Sequence, residues 1–132
     1  MAIVVDTSVM MAWHFEDERS PLADAVRAKL RDDEALVPAH WWFEIRNALL
    51  IGERRGRTQP VATEAFLNSL LAFSISVASL LDERAVFALA RRHRLTFYDA
   101  AYLELAKRED LTLATFDRDL MAAAKAEGVP LA

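Results

Sequence analysis

The chain has 132 residues, of which 54% are hydrophobic, and its 20 acidic and 16 basic residues give a net charge of −4. This length predicts one domain spanning residues 1–132, and the apolar fraction argues against intrinsic disorder. The absence of cysteine excludes disulfides and thiolate metal sites, and the negative charge disfavours nucleic-acid binding by bulk electrostatics alone. No stretch reaches the roughly 18 apolar residues of a membrane span, so a soluble, cytoplasmic protein is expected.

The first half of the chain predicts two strands, each followed by helix. An apolar, β-branched run at residues 2–5 is typical of a strand buried on both faces. Ser20 is a good N-cap and Pro21 suits the first position of a helix. Residues 35–38 predict a second strand, and the long helix after it is expected to end near Gly56, a residue suited to a helix C-cap.

The second half of the chain repeats this alternation. The predicted elements are a helix over 61–72, a strand at 74–77, a helix opened by a Ser79–Asp82 capping pattern, a helix from Thr96, a strand at 111–115, a helix closed by Gly128, and a small edge strand at 129–131. Strands that alternate with helices indicate an α/β fold with a parallel sheet. Two of the crossovers are expected to hold two helices each.

Four acids from separate parts of the chain are expected at one edge of this sheet, outside the carboxyl ends of the strands. Asp6 directly follows the first strand, and Asp117 follows the fourth with one intervening residue. Glu44 lies about 8 Å into the helix after the second strand, at 1.5 Å per residue. Asp99 lies in the first turn of the helix that leads into the fourth strand.

The chemistry of this acid cluster favours a divalent cation. Two like charges about 4 Å apart repel by roughly 4 kcal/mol at an effective dielectric constant of 20. The four carboxylates therefore need a cation, or some must bind protons. Oxygen ligands without cysteine or paired histidines suit Mg²⁺ or Mn²⁺ rather than zinc, and such ions serve phosphoryl chemistry.

Each acid also has a structural alternative. Asp6 is suited to capping a turn, Asp99 to pairing with Thr96 in a capping box, and Asp117 to capping the last helix. Glu44 borders an apolar helical stripe, where a snorkelling side chain is the alternative. The joint placement of the four acids, rather than any one of them, favours function.

The remaining polar and aromatic signals have plain explanations. The three histidines, His14, His40 and His93, are interpreted as surface or packing residues. Trp41 and Trp42 point about 100° apart on a helix, so one is expected in the core; for the other, core packing is the first interpretation and exposure near Glu44 the alternative. Two basic clusters, at residues 53–57 and 91–94, are interpreted as solvated helix ends.

Four motifs together resemble those of PIN-domain ribonucleases, and most closely those of short VapC-type toxins from bacterial toxin–antitoxin pairs. They read "VVDTSVMMAW", "VPAHWWFEIRNALL", "LTFYDAAYLELAKRE" and "LATFDRDL". Each motif is weak alone, but their order and spacing make the set specific. The resemblance spans about residues 3 to 126.

The resemblance implies a Rossmann-like sheet in the order 3-2-1-4-5 and Mg²⁺-dependent cleavage of structured RNA, with Mn²⁺ as an alternative ion. It assigns Asp6, Glu44, Asp99 and Asp117 to the family's acidic, metal-binding positions. Ser8 and Thr115 match small hydroxyl positions beside the first and last acids, and Asp119 matches a further outer ligand. It also implies a homodimer and a small VapB-type antitoxin as partner.

Other functions fit the sequence less well. An aspartyl-nucleophile phosphatase needs a second Asp two residues after the first, where Ser8 stands. A phospho-receiver domain needs an acidic pair at the first strand, which is missing. The non-enzymatic alternative is a catalytically silent PIN-fold module that acts only by binding a partner.

Overall fold

A four-stranded parallel sheet organises the computed structural model, which describes residues 1–132. The strands are β1 (Ala2–Val5), β2 (Glu34–Pro38), β3 (Ile75–Ala78) and β4 (Thr112–Ala114). Their order across the sheet is β3-β2-β1-β4, and every neighbouring pair is parallel. The predicted α/β class is therefore confirmed, and each predicted strand is present with ends that shift by at most one residue.

The expected fifth strand is reduced to a single parallel bridge between Leu113 and Leu131 at the outer side of β4. Leu113 donates its amide to Pro130 O at 2.9 Å, and Ala132 donates to Leu113 O at 3.0 Å. Pro130 has no amide hydrogen to donate, which prevents a longer ladder at this edge. The sheet therefore has the order β3-β2-β1-β4, and only Leu131 stands where the expected fifth strand would lie.

Seven helices flank the sheet. They are α1 (Thr7–His14), α2 (Pro21–Lys29), α3 (Trp41–Arg54), α4 (Pro60–Leu70), α5 (Glu83–His93), α6 (Phe97–Arg108) and α7 (Arg118–Ala126). Each of the three crossovers holds two helices, whereas the sequence predicted two helices in only two of them. The helix missing from the prediction is α1. Its sequence is apolar on most sides, and five of its eight residues are buried, so it lacks a polar stripe.

Local capping chemistry sets several helix ends as predicted. Ser20 Oγ accepts the amide of Ala23 at 3.1 Å, with Pro21 at the first helical position of α2. After α3, Gly56 adopts a positive φ of 72°, which a residue without a side chain tolerates. The Arg57 amide then bonds to Gly52 O at 2.8 Å and closes the helix.

The predicted start of α5 is wrong. Ser79 does not cap the helix; instead Asp82 Oδ1 accepts the amide of Ala85 at 3.2 Å, and the helix begins at Glu83. The carbonyl of Leu80 accepts from Arg108 Nη2 at 3.0 Å, which keeps it out of a helical ladder. The segment between β3 and α5 therefore stays irregular.

Helix α6 is the most deeply buried helix of the fold. Its residues from Ala100 to Ala106 are all buried, and the alanines among them let the helix lie close to β1 and β2. Trp41 on α3 is 6% exposed and belongs to the core, whereas Trp42 is 47% exposed. The core position of Trp41 agrees with the sequence prediction, and the exposure of Trp42 agrees with the alternative rather than with core packing. No helix combines the length and apolar character that crossing a membrane requires.

A second charged group fixes the end of α7 opposite to Asp117. The Glu127 carboxylate accepts from Lys107 Nζ at 2.7 Å, Arg92 Nη1 at 2.7 Å and His93 Nε2 at 2.6 Å. These contacts, the one from Lys107 foremost, lower the pKa of Glu127 from 4.5 to about 2. Two residues of the 91–94 cluster therefore pair with an acid rather than serve only as solvated helix ends.

Substitution Glu127→Gln should make the folded state less stable at neutral pH by about 1–2 kcal/mol, since the exposed bases are screened by solvent. A carboxylate with a lowered pKa contributes stability above its unfolded value, and this contribution disappears as the pH falls from 4.5 to about 2. Urea unfolding of both proteins across this range should show their stabilities converging at acid pH. A difference independent of pH would contradict the ion-pair explanation.

Candidate active site

The structure brings Asp6, Glu44, Asp99 and Asp117 to the edge where the parallel strands end. Asp6 directly follows β1, and its amide extends the ladder by bonding to Ala114 O of β4 at 2.9 Å. Glu44 and Asp99 lie in the first turns of α3 and α6, and Asp117 is the N-cap of α7. Four separate chain segments thus supply one carboxylate each.

Electrostatics shows that these carboxylates face a common region. The pKa of Asp99 is raised from 3.8 to about 6, first by burial and then by the charges of Asp6, Asp117 and Glu44. A carboxylate binds its proton more tightly when other negative charges lie near it. The charges of the other three acids therefore add to the effect of burial at Asp99.

Hydroxyl groups hold Asp6 in this cluster. The Asp6 carboxylate is 6% exposed, and its Oδ2 accepts from Ser8 Oγ at 2.9 Å and from Thr115 Oγ1 at 2.6 Å. Burial raises the pKa of Asp6, and the hydrogen bonds from Thr115 and Ser8 oppose that rise. Ser8 and Thr115 therefore support Asp6 from the positions that the motif match named.

The same two hydroxyls connect Asp6 to the loop that carries Asp117. Thr115 Oγ1 accepts the amide of Asp117 at 3.0 Å, and Ser8 Oγ accepts the amide of Phe116 at 3.1 Å. Each hydroxyl donates to Asp6 and accepts from the backbone of this loop. The spacing between the first and last acids is thus fixed by neutral groups.

Glu44 is held through one of its two oxygens. Its Oε1 accepts from Tyr102 Oη at 2.7 Å, and Thr7 Oγ1 lies 3.3 Å from the same oxygen. Thr7 and Tyr102 also contact each other, with their hydroxyl oxygens 3.1 Å apart. No protein group donates to Glu44 Oε2, so this oxygen is free to bind a ligand.

His40 lies beside Glu44 as a packing residue, one of the two roles that the sequence predicted for it. Its ring packs between Tyr98 and Tyr102, with centroid distances of 5.3 and 5.1 Å. His40 Nε2 is 3.4 Å from Glu44 Oε1 and makes no hydrogen bond. Burial lowers the pKa of His40, and the charge of Glu44 opposes this shift. His14 and His93 instead bond to Thr58 and Glu127, away from the acids.

The capping alternatives hold for two of the acids without removing them from the cluster. Asp117 Oδ1 accepts the amide of Leu120 at 2.8 Å, so it does cap α7. Thr96 Oγ1 accepts the amide of Asp99 at 3.1 Å, as in a capping box. Asp119 is exposed, and its side chain makes no hydrogen bond or ion pair.

The sequence did not single out Thr7, His40 or Tyr102, although spacing offered a signal for each. Thr7 follows Asp6 directly, His40 lies four residues before Glu44, and Tyr102 lies three residues after Asp99. On a helix, positions three or four apart share a face. Polar residues at these spacings from a suspected ligand are therefore candidates for its support.

The donor chemistry fits a hard divalent cation, because all four convergent charges are carboxylates and a cation would relieve their repulsion. In their present orientations, however, no three acidic or histidine side chains lie close enough to hold one ion together. Glu44 Oε2 and Asp117 Oδ2 accept no hydrogen bond from the protein. Binding one ion through three of the acids therefore requires these side chains to move.

Comparison with known proteins identifies the family. The sequence profile of the PIN domain matches residues 3–126. This chain belongs to the PIN-domain family. It is 33% identical over 123 residues to a Pyrobaculum aerophilum protein named Ribonuclease VapC3, covering 91% of this chain and 92% of the relative.

Further relatives agree with this assignment and place the chain with the VapC type. A Mycobacterium tuberculosis protein, also named Ribonuclease VapC3, is 33% identical over 121 residues, covering 92% of this chain and 86% of the relative. A P. aerophilum protein named Exonuclease VapC9 is 38% identical over 84 residues, covering 63% of this chain and 62% of the relative.

Solved structures share the fold. The crystal structure of PAE2754 from P. aerophilum superposes with a TM-score of 0.67 at 28% identity, covering 93% of this chain and 87% of that one. A domain of a functionally unknown protein from Methanocaldococcus jannaschii superposes with a TM-score of 0.56 at 21% identity, covering 99% and 89%. The second likeness concerns the fold alone.

Substitution Asp99→Asn should stabilise the metal-free PIN domain at neutral pH. A raised carboxyl pKa means that the folded state binds the proton more tightly, so stability is lost as the pH rises from 3.8 to about 6. Removing this charge should recover about 1 kcal/mol, allowing for solvent screening of a half-buried group. Urea unfolding in the presence of a chelator measures the gain. An Asp99→Asn protein that is less stable than wild type at neutral pH would contradict the repulsion argument.

Proposed function

We propose that this PIN domain is a Mg²⁺-dependent endoribonuclease and the toxin of a type II toxin–antitoxin pair. The observation that carries the proposal is that one acid from each of four chain segments lies at the edge where the parallel strands end, with Ser8 and Thr115 fixing Asp6. Burial first, and then the charges of the other three acids, raise the pKa of Asp99 to about 6, and shifted pKa values of this kind cluster at functional sites. The names of the VapC relatives indicate the reaction class, hydrolysis of RNA.

The proposed reaction is hydrolysis of a phosphodiester by in-line attack of water. Asp6 and Asp99 would be the main ligands of a divalent cation, which would supply Lewis acidity and positive charge when bound. Asp117 and Glu44 would orient water or help to hold a second ion. Catalysis of this type depends on positioning, so no nucleophilic side chain is needed.

The chain itself contributes the hydroxyl groups that orient the acids for this reaction. Ser8 and Thr115 fix the direction of Asp6, since both donate to its Oδ2. Because Thr115 also accepts from the Asp117 amide, the first and last acids keep a constant separation. The free oxygen of Glu44 remains able to accept a proton or to hold water.

The overall negative charge is compatible with an RNA substrate. The four proposed ligands are equal in number to the net charge of −4, so bound cations would cancel the repulsion of phosphate. Arg54 and Arg55 are exposed at the end of α3 and free to attract RNA. Arg57 is not, because its guanidinium binds Asp17 and Glu18 at 2.9 Å each.

The proposed partners are a VapB-type antitoxin and a second copy of the chain. An open recess of about 620 Å³ borders Glu44, and α3 contributes Phe43 and Leu50 to its wall. These side chains are 70% and 45% exposed, which suits the apolar part of an antitoxin segment. A segment seated there would cover the acids and exclude RNA.

The competing proposal is a catalytically silent PIN-fold module that acts by binding alone. It predicts a surface for a partner but gives no reason why hydroxyl groups should hold the acids in place. The hydroxyls of Ser8 and Thr115 would then orient a carboxylate that has no function. The nuclease proposal explains both features, so we favour it.

Substitution Asp6→Asn should abolish cleavage of structured RNA, with a loss of at least about 100-fold, because it removes a main ligand of the cation. The assay compares purified, antitoxin-free protein with Mg²⁺ and with a chelator. A circular RNA serves as an additional substrate, since an endonuclease cleaves it and an exonuclease does not.

The matched control is Asp32→Asn, which removes an exposed carboxylate in the turn before β2. This variant should cleave as the wild type does. Cleavage that persists in Asp6→Asn, or that needs no divalent ion, would overturn the proposed function. Cleavage of linear but not circular RNA would replace the endonuclease by an exonuclease.

A further inference from the structure

Tyr102 occupies an unusual position for a tyrosine in the core. Its side chain is fully buried on α6, yet its hydroxyl ends among the acids and lies 2.7 Å from Glu44 Oε1. This is the shortest contact that Glu44 makes with the protein. A hydrogen bond to a charged acceptor at this distance is strong, and its loss leaves a partly buried carboxylate without its main donor.

The direction of this hydrogen bond is fixed. A phenol keeps its proton at neutral pH and an ionised carboxylate has none to donate, so Tyr102 Oη is the donor and Glu44 Oε1 the acceptor. The phenol has a single proton, and donating it to Glu44 leaves its oxygen able to accept from Thr7, 3.1 Å away. Thr7 therefore orients the phenol, and the phenol orients Glu44.

These contacts connect three of the four acids. Glu44, on α3, is contacted by Tyr102, which lies three residues after Asp99 on α6, and by Thr7, which directly follows Asp6. Because α6 is buried along most of its length, a displacement of Glu44 relative to Asp99 requires breaking the bond to Tyr102.

We infer that Tyr102 is a positioning residue whose hydroxyl fixes the Glu44 carboxylate at the acid cluster, with Thr7 orienting that hydroxyl. This inference rests on the proposed nuclease function. Tyr102 does not touch RNA, because it is fully buried. It acts through Glu44, whose Oε2 accepts no hydrogen bond from the protein.

The test is substitution Tyr102→Phe, which removes one oxygen and leaves the packing unchanged. We expect the dissociation constant for Mn²⁺ to rise and kcat for RNA cleavage to fall, each by about 10-fold or more, with KM unchanged. Mn²⁺ binding is measured by titration calorimetry, independently of activity. A purely structural role would lower the melting temperature and leave the Mn²⁺ affinity of the folded protein as it was.

Two sets of controls sharpen the test. Tyr98→Phe removes the other tyrosine hydroxyl of the chain, which is exposed and donates no hydrogen bond, and should behave as wild type. Thr7→Val should weaken Mn²⁺ binding less than Tyr102→Phe, and Thr7→Ser should restore it. In a Glu44→Gln background, Tyr102→Phe should cause little further loss, since the group it acts through is already altered.

The outcomes separate this inference from the proposed function. A wild-type protein that neither binds Mn²⁺ nor cleaves RNA overturns both. A wild-type protein that does both, with Tyr102→Phe indistinguishable from Tyr98→Phe, overturns only the positioning role. Losses of equal size in the wild-type and Glu44→Gln backgrounds would also overturn it, because Tyr102 would then act independently of Glu44.

Discussion

Repulsion among carboxylates gathered at one edge of a parallel sheet is the constraint on which the rest of this PIN domain depends. In water, each of these acids would lose its proton near pH 4. In the folded protein, burial first and then the charges of the other acids raise the pKa of Asp99 to about 6, so gathering the acids costs folding free energy. The buried sheet and helix α6 supply the stability that holds the acids together. The proposed active site is thus built at the expense of the fold, as is common where function needs strained electrostatics.

Neutral hydroxyls are the means by which the chain fixes these acids. Ser8 and Thr115 bind Asp6, while Tyr102, oriented by Thr7, binds Glu44. A hydroxyl donor orients a carboxylate and stabilises its charge without cancelling it. An arginine or lysine at the same place would neutralise the acid and compete with a cation. The choice of hydroxyls therefore keeps the cluster both ordered and negative.

The sequence was sufficient to predict the parts of the structure that follow from local patterns. The four strands follow from short apolar runs, and Ser20 and Gly56 mark helix ends through their own backbone and capping chemistry. The acids could be located because parallel strands end at one edge. Helix α1 was missed because burial removes the amphipathic period, and Tyr102 because a tyrosine within an apolar helix resembles core packing. The start of α5 depended on a tertiary contact between Arg108 and Leu80 O, which no local pattern reveals.

The distribution of basic residues completes the electrostatic argument. Arg57 binds Asp17 and Glu18, Arg92 and Lys107 bind Glu127, and Arg108 binds Glu104. No lysine or arginine forms an ion pair with any of the four acids; His40 alone lies near Glu44, and burial lowers its pKa. The chain thus neutralises its structural acids and leaves the cluster without an internal counter-ion. Positive charge must come from outside, and a divalent ion and a basic side chain of an inhibitory partner would compete for the same place. One unmet charge requirement is therefore enough to explain how a single site could both bind a catalytic ion and be switched off.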